Sequence, residues 1–394
     1  MTKKSDAPAI RFKGFSDAWE QRKLGELVDR VVRKNTNNEW RICNYYLVMN
    51  GEFAYNKSTS DGYPFGAVKR LDLYEKGVLS TLYIVFAPKK EQQIDSDYLT
   101  VFFDTDRWHK GVAERAAEGA RNHGLLNISA EDFFDIDLSV PKDIVEQKQI
   151  GAFIRQLDNL ITLHQRKFEK LTNVKKSMLE KMFPQNGSSY PEIRFKGFTD
   201  PWEQRKFSEL VQIERGGSPR PIDDFITDAP NGLNWIKIGD APTQGNYITK
   251  TAEKIRPEGL SKTREVHPGD LILSNSMSFG KPYIMGIDGC IHDGWLLIRN
   301  TYGVFDLTFL CHLLGTPQML SQYRSLAAGS TVNNLNKELV GNTVVTIPSI
   351  TEQRVLGDYL EQLDNLITLH QRKPFLMKRR NSDANRNQTN RLVL

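Results

Sequence analysis

Side chains suited to contacting nucleic acid gather in a few short polar segments. Asn56-Lys57-Ser58-Thr59-Ser60 leads through Tyr63 to Lys69 and Arg70, so donors alternate with aromatic rings. Gly119-Ala120-Arg121-Asn122-His123-Gly124 is a compact glycine-bounded loop with three base-capable side chains. Farther along, Arg215-Gly216-Gly217-Ser218-Pro219-Arg220 sets two arginines on a glycine-permitted turn. Asn275, Ser276, Lys281, Asn333 and Asn334 carry the same chemistry. Arginine pairs with guanine edges and asparagine with adenine, while lysine and serine suit phosphates. Each cluster alone is weak, because polar loops are usually just solvated. No G-x-x-x-x-G-K-[ST] loop and no G-x-G-x-x-G fingerprint occurs, and Asn275-Ser276-Met277-Ser278 lacks the paired prolines of an adenine-methyltransferase loop. Cys290, His292, Cys311 and His312 match no common zinc spacing, so no catalytic residue and no metal site is assigned.

Charge must be located before it is interpreted. The net charge is +5, yet residues 372–394 carry seven Lys/Arg against Asp383, which leaves the rest of the chain at −1. A folded body of that balance binds DNA only through local patches. Three cysteines exclude a disulfide framework. No apolar run of membrane-spanning or signal-peptide length occurs, which predicts a soluble cytoplasmic protein.

The elements that position these clusters come in two copies. IRFKGFSDAWEQRKL at 10–24 returns as IRFKGFTDPWEQRKF at 193–207, with twelve of fifteen positions identical and an offset of 183. EQKQIGAFIRQLDNLITLHQRK at 146–167 returns as EQRVLGDYLEQLDNLITLHQRK at 352–373, with fifteen of twenty-two identical and an offset of 206. The intervening stretches are hardly alike. Duplicated ends around divergent middles suit one scaffold presenting two recognition surfaces, whereas duplication for catalysis would keep the middle.

The closing segments read as long helices. Ile150, Ile154, Leu157, Ile161, Phe168, Leu171, Met178 and Met182 follow a heptad seam, with His164 and Lys175 filling its gaps. The second copy repeats it through Leu356, Leu360, Leu363, Ile367 and His370, and Pro374 is expected to end it. Phe168, Leu171, Met178 and Met182 would then face no partner within this chain and form a subunit interface. Asp17–Glu20 and Asp200–Glu203 fit capping boxes and predict helix starts. The middles read as mixed α/β with short strands at Leu82–Pro88, Trp235–Ile238 and Leu271–Leu273. The fold class is α+β: two α/β recognition domains in tandem, each followed by a long helix. The two helices most simply pack on each other, with self-association between chains as the competing reading of the stripe. Boundaries fall at 1–145 (first domain, shortened), 146–183 (first helix), 184–192 (linker), 193–350 (second domain), 351–373 (second helix, shortened) and 374–394 (a basic, Asn-rich, disordered tail).

This layout resembles the DNA-sequence specificity subunit of bacterial type I restriction–modification systems. The paired WEQRK openings at 19–23 and 202–206 carry the likeness, with the paired P-x(3,4)-E-Q…L-D-x-x-I helices at 141–161 and 348–367. GGSPRP at 216–221, WIKIGD at 235–240 and PGDLILS at 268–274 add to it. The resemblance implies a non-catalytic subunit whose two domains each read half of a split double-stranded DNA target. It implies helices that pack as an antiparallel coiled coil and set the half-site spacing, two adenine-methylating modification subunits, and restriction subunits that complete a nuclease. S-adenosylmethionine, ATP and Mg are then expected on those partners and no cofactor on this chain. A coiled-coil adaptor that never touches DNA is the reading from another class, and a stand-alone nuclease or methyltransferase a third. The first unit is 23 residues shorter between its signatures and lacks a WIKIGD-like strand.

Overall fold

The computed structural model describes residues 8, 10–36, 44–116, 124–275, 279–327 and 335–386, with side chains as far as 371. Arg121, Asn122, Ser276, Asn333 and Asn334 lie outside the described residues. The chain divides into two compact units, one of residues 1–163 with 376–394 and one of residues 164–375.

The first unit is built on an antiparallel sheet in the order Val28–Arg30, Ile84–Pro88, Phe53–Asn56, Ala67–Arg70. Its inner face is aromatic: Tyr55 stacks on Phe133 at 4.4 Å and Phe53 on Phe86 at 5.4 Å. The helix Ser96–Phe103 and the buried Trp108 complete this core.

In the second unit the order Gln212–Arg215, Trp295–Arg299, Leu271–Ser274, Pro282–Met285 repeats that sheet, again antiparallel, with Tyr247–Ile248 added at the edge. The two middles therefore share a topology that their sequences conceal. The difference in length lies elsewhere. Between its first two strands the second unit inserts most of a further sheet, ordered Glu253–Ile255, Leu233–Ile236, Gly289–Ile291, Arg264–Val266. Among the described residues the first unit has only the pair Tyr46–Met49 and Lys76–Leu79 outside its main sheet and the strand pair that closes the unit.

Those closing pairs begin at the opening signatures, which are strands and not helix starts. Glu20–Lys23 pairs with Asp137–Val140, and Glu203–Lys206 with Val344–Ile347, both antiparallel. Strand partners satisfy the backbone that a capping box would otherwise serve. Only a short helix, Leu24–Leu27, and a 3-10 turn, Phe207–Glu209, follow.

The long helices are Ile144–Lys181 and Ile350–Arg386. The second runs through Pro374, where the sequence suggested a stop. A proline removes one hydrogen bond and crowds the preceding turn, at ~3 kcal/mol or more, which a helix continuing on both sides can absorb. Within the second unit, His164 meets His370 (Nδ1···Nδ1 2.8 Å) and Lys175 bonds Asp364. Partner numbers fall as helix numbers rise, so the pairing is antiparallel, and Met182 accordingly shares a core with Leu356 and Leu360. This overturns the free-interface reading of the seam. Met182 is 4% exposed, and Leu171 and Met178 pack against the same core, while Phe168 is half-buried. These side chains find apolar partners inside their own unit because the antiparallel crossing brings the start of the second helix to the end of the first.

Among the described residues no helix is long and apolar enough to cross a membrane, and no group of three His, Cys, Asp or Glu is placed to hold a metal. Cys290 and Cys311 are buried, and burial pushes their thiols up to about 11 and about 12.

Candidate nucleic-acid interface

The signatures explain how each recognition surface is held. At the start of the first long helix, Glu146 is fully buried and accepts Arg11 through Nε at 2.5 Å and Nη2 at 2.7 Å, with Trp19 Nε1 at 3.4 Å. Glu352 does the same for Arg194 (2.7 and 2.8 Å) and Trp202 (3.3 Å). A bidentate guanidinium–carboxylate pair fixes orientation as well as distance.

The adjacent glutamines tie down the middles. Gln147 accepts Asp95 N at 2.8 Å and donates to Pro141 O at 2.8 Å and Gln93 O at 3.0 Å. Gln353 accepts Asp306 N at 3.0 Å and donates to Pro348 O and Val304 O. Asp95 and Asp306 are in turn the N-caps of Ser96–Phe103 and Leu307–Leu314, accepting from Tyr98 N and Phe309 N. Gly151 and Gly357 let those helix starts approach, since a Cβ would stand 2.9 Å from Tyr98 N or Phe309 N. At the first of these junctions Asp97 joins Arg70 (2.8 Å) to Arg155 (2.6 Å). Burial pushes the Asp97 carboxyl up, but hydrogen bonds from Arg155 and Arg70 outweigh it and hold the pKa below the ordinary value.

Each sheet then presents one loop junction in the same place. In the first unit Thr59 N donates to Gly124 O at 2.6 Å and Leu126 N to Lys57 O at 3.0 Å. In the second, Leu335 N donates to Asn275 O at 3.0 Å. The segment after the third strand of the sheet thus meets the segment leading to the last short helix in both units. Lys57 and Ser58 lie directly at the first junction and Asn275 at the second.

Around Asp293 a further cluster assembles in the second unit. Ser218 Oγ donates to Asp293 Oδ1 (3.1 Å), Arg215 Nε to its carbonyl (3.4 Å), and Arg220 Nη2 stands 3.7 Å from Oδ2. Gly216 and Gly217 are required there, because a Cβ would fall 2.2 Å from His292 O or 2.4 Å from Lys262 O. Burial holds the His292 pKa below its ordinary value. Its Nδ1 accepts Gly294 N–H at 2.9 Å, so Nε2 carries the proton and donates to Asp293 at 3.0 Å. Arg220, Lys237, Glu253 and His292 line a polar depression of about 560 Å³ with Trp235 in its wall. Arg215 and Arg220 are exposed, each held by one contact to Asp293.

The model of the type I restriction modification DNA specificity domain matches residues 74–173 and 199–377. The chain belongs to this family. Type I restriction enzyme MjaVIII specificity subunit of Methanocaldococcus jannaschii is 24% identical over 314 residues, 76% of this chain and 71% of that protein. The putative MjaX specificity subunit of the same organism is 22% identical over 285 residues, and the match spans 62% of its length. The type I restriction-modification S subunit of M. genitalium shares the fold, with a TM-score of 0.59 and 12% identity over 94% of this chain and 96% of that one. Membership in the specificity family disfavours the adaptor reading and fits two α/β recognition domains with long helices.

Not every side chain singled out from this family member's sequence is available to DNA. Arg70 is 8% exposed in its side chain and is bound by Asp72, Asp97 and Ser96, so it holds the sheet edge onto the helix Ser96–Phe103 and cannot read bases. Asn275 is buried and spends its amide on Asp293 O at 2.8 Å, making it a strut between loops. Lys69 is exposed but pairs with Asp104, and Lys281 lies over the Tyr283 ring at 4.8 Å. Lys57 Nζ is 3.4 Å from Ile128 O. Sequence reasoning missed Asp293, His292 and Lys237. The His-Asp-Gly turn at 292–294 was the signal, since an acidic residue amid basic loops is an organiser more often than a ligand contact.

Proposed function

We propose that the chain is the non-catalytic DNA-reading subunit of a type I complex, each unit contacting one half of a split double-stranded target. The observation that supports this most is the equivalent junction in the two units: Lys57–Thr59 against Gly124–Leu126, and Asn275 against Leu335. Two like-built junctions of unlike sequence are what two different half-sites require. Arg215, Ser218 and Arg220 are the assigned contacts of the second unit, Lys57, Ser58 and Lys69 those of the first. Lys281 completes the second set, and Arg121, Asn122, Ser276, Asn333 and Asn334 belong with them by sequence. The proposal leaves half-site spacing to the long helices, because a rod of set length fixes helical phase on B-DNA. Two modification subunits carrying S-adenosylmethionine, and restriction subunits using ATP and Mg, would supply the chemistry.

The test exchanges residues 208–345 for those of another family member and maps methylated adenines after assembly with the modification subunit. One half of the target changes and the other stays. A change in both halves, or in neither, overturns the assignment of one half-site per unit. Arg220→Ala is expected to weaken that half-site with a difference of about 1–3 kcal/mol between matched and mismatched DNA.

A further inference from the structure

The two units differ at one buried place that the repeat makes directly comparable. In the second unit the end of the first long helix is plugged into the core. Phe183 stacks on Phe309 at 5.6 Å and meets Trp202 at 6.0 Å, and Met182 lies in the same cluster with Leu356 and Leu360. The first unit has the matching walls. Trp19 corresponds to Trp202, Tyr98 to Phe309 by the shared N-cap, and Ile150 and Ile154 to Leu356 and Leu360. There these walls surround an apolar groove of about 220 Å³.

Exposure separates the copies. Leu360 is 0% exposed and Leu356 2%, whereas Ile150 and Ile154 are both only partly buried. Phe153 is 45% exposed, while its counterpart Tyr359 is half-buried, and Ile10 is 70% exposed against 37% for Ile193. The sequence supplies a reason. The positions 206 residues after Met178, Met182 and Phe183 are Ala384, Gln388 and Thr389. The sequence there offers Ala, Gln and Thr where the first copy offers Met, Met and Phe.

We propose that this groove is a docking site for the end of an amphipathic helix from a different polypeptide, one bearing large apolar side chains spaced as Met178, Met182 and Phe183. The second unit displays the occupant chemistry on an equivalent surface, which commits the proposal to a Met/Phe-tipped helix and not to a small molecule. Arg107 at the groove rim favours an acidic residue on the flank of that helix.

A labelled peptide of residues 166–185 titrated onto the full chain by fluorescence anisotropy tests this without any DNA. Saturable one-to-one binding is expected, at least tenfold weaker for a peptide carrying Met182→Asp and Phe183→Asp. Ile154→Arg in the chain, or Phe153→Arg at the more exposed position, should weaken it at least tenfold with the near-ultraviolet dichroism unchanged. No saturable binding overturns the proposal, as does equal binding by the Asp-substituted peptide. Undiminished binding by both groove variants would place the peptide elsewhere, for instance displacing its own copy from the second unit. Tighter binding after deletion of 387–394 would show that the chain's own end is the occupant. Concentration-dependent dimerisation abolished by Phe153→Arg would assign the groove to a second copy. Either result overturns the choice of a different polypeptide.

Discussion

Replacing Glu146 by alanine should destabilise the first unit by about 3–5 kcal/mol, the cost of breaking a buried ion pair from one side. The alternative magnitude is that of an exposed pair, about 0–1 kcal/mol. Geometry decides between them. The Glu146 side chain is 0% exposed and that of Arg11 13%, and the carboxylate accepts from Arg11 twice and from Trp19 once. Truncation therefore leaves a guanidinium and an indole N–H without their acceptor in a site that admits little water. Arg11→Ala in the Glu146→Ala background should cost less than its effect alone, with a coupling of about 0.5–3 kcal/mol. Because the two units need not unfold together, a single melting temperature is a poor readout. Hydrogen exchange under increasing urea, followed separately at Phe53–Asn56 and Leu271–Ser274, resolves them. Glu146→Ala lowers protection of the first and spares the second, and Glu352→Ala does the reverse. A loss below about 1 kcal/mol, or one shared equally by both units, would refute the clamp.

Two further outcomes follow from the same contacts. Gly151→Ala and Gly357→Ala should each destabilise by up to about 2 kcal/mol, because overpacking of ~1–3 kcal/mol against a helix start offsets the ~1 kcal/mol helix-propensity gain; stabilisation in urea titrations of either variant would show that the contact relaxes freely. Burial, with Lys175 adding to it, holds the His312 pKa at about 3, so the folded second unit refuses a proton that the unfolded chain takes near pH 6.5. Its contribution is fully present above that pH and is lost as pH falls, at up to ~1.4 kcal/mol per unit. His312→Leu should flatten the stability slope between pH 6.5 and 4.5, and an unchanged slope would contradict this.

The long helices, their shared seam through His164 and His370, and a few short strands such as Leu271–Leu273 were legible in the sequence because local pattern and internal repetition report them directly. The antiparallel sense of the pairing came only from the family resemblance. The openings misled for a physical reason: Asp-x-x-Glu marks a capping box only where the following backbone lacks a better partner. Here a strand more than a hundred residues away provides one. The same non-locality hid the fate of individual side chains. Arg70 and Asn275 have the right chemistry for DNA, but Asp97, together with the neighbouring Asp72, claims the first and the Asp293 carbonyl the second, and neither Asp97 nor Asp293 is near in sequence. Arg215, Ser218 and Arg220 do come together around Asp293, because Gly216 and Gly217 let their loop approach the backbone at His292 and Lys262. Met182 looked free because the seam was counted along one helix, whereas its partners stand at the start of the other.

The strand pairs also explain why the middles were free to diverge. Glu203 pairs with Ile347 and Lys206 with Val344, so the chain enters and leaves the second recognition domain through neighbouring strands. Glu20 with Val140 and Lys23 with Asp137 do the same in the first. A domain whose two ends sit side by side can be exchanged without moving what holds it. The parts that cannot vary independently are those that touch across the junction: Arg11 and Trp19 with Glu146, Gln147 with the loop before its helix, Gly151 with the helix start. These contacts are set by the long helix and by one short segment of each middle. The loop junctions proposed to contact DNA share none of them. On the proposed assignment, selection on a new half-site can act on residues such as Arg220 while the clamp is kept, and the stretch 216–270 of the second unit against 31–52 of the first shows how much such a middle can grow. The exchange of 208–345 cuts at this boundary, leaving Glu203–Lys206 and half of its partner strand, Thr346 and Ile347, on the frame, so its product should fold even where its recognition is new.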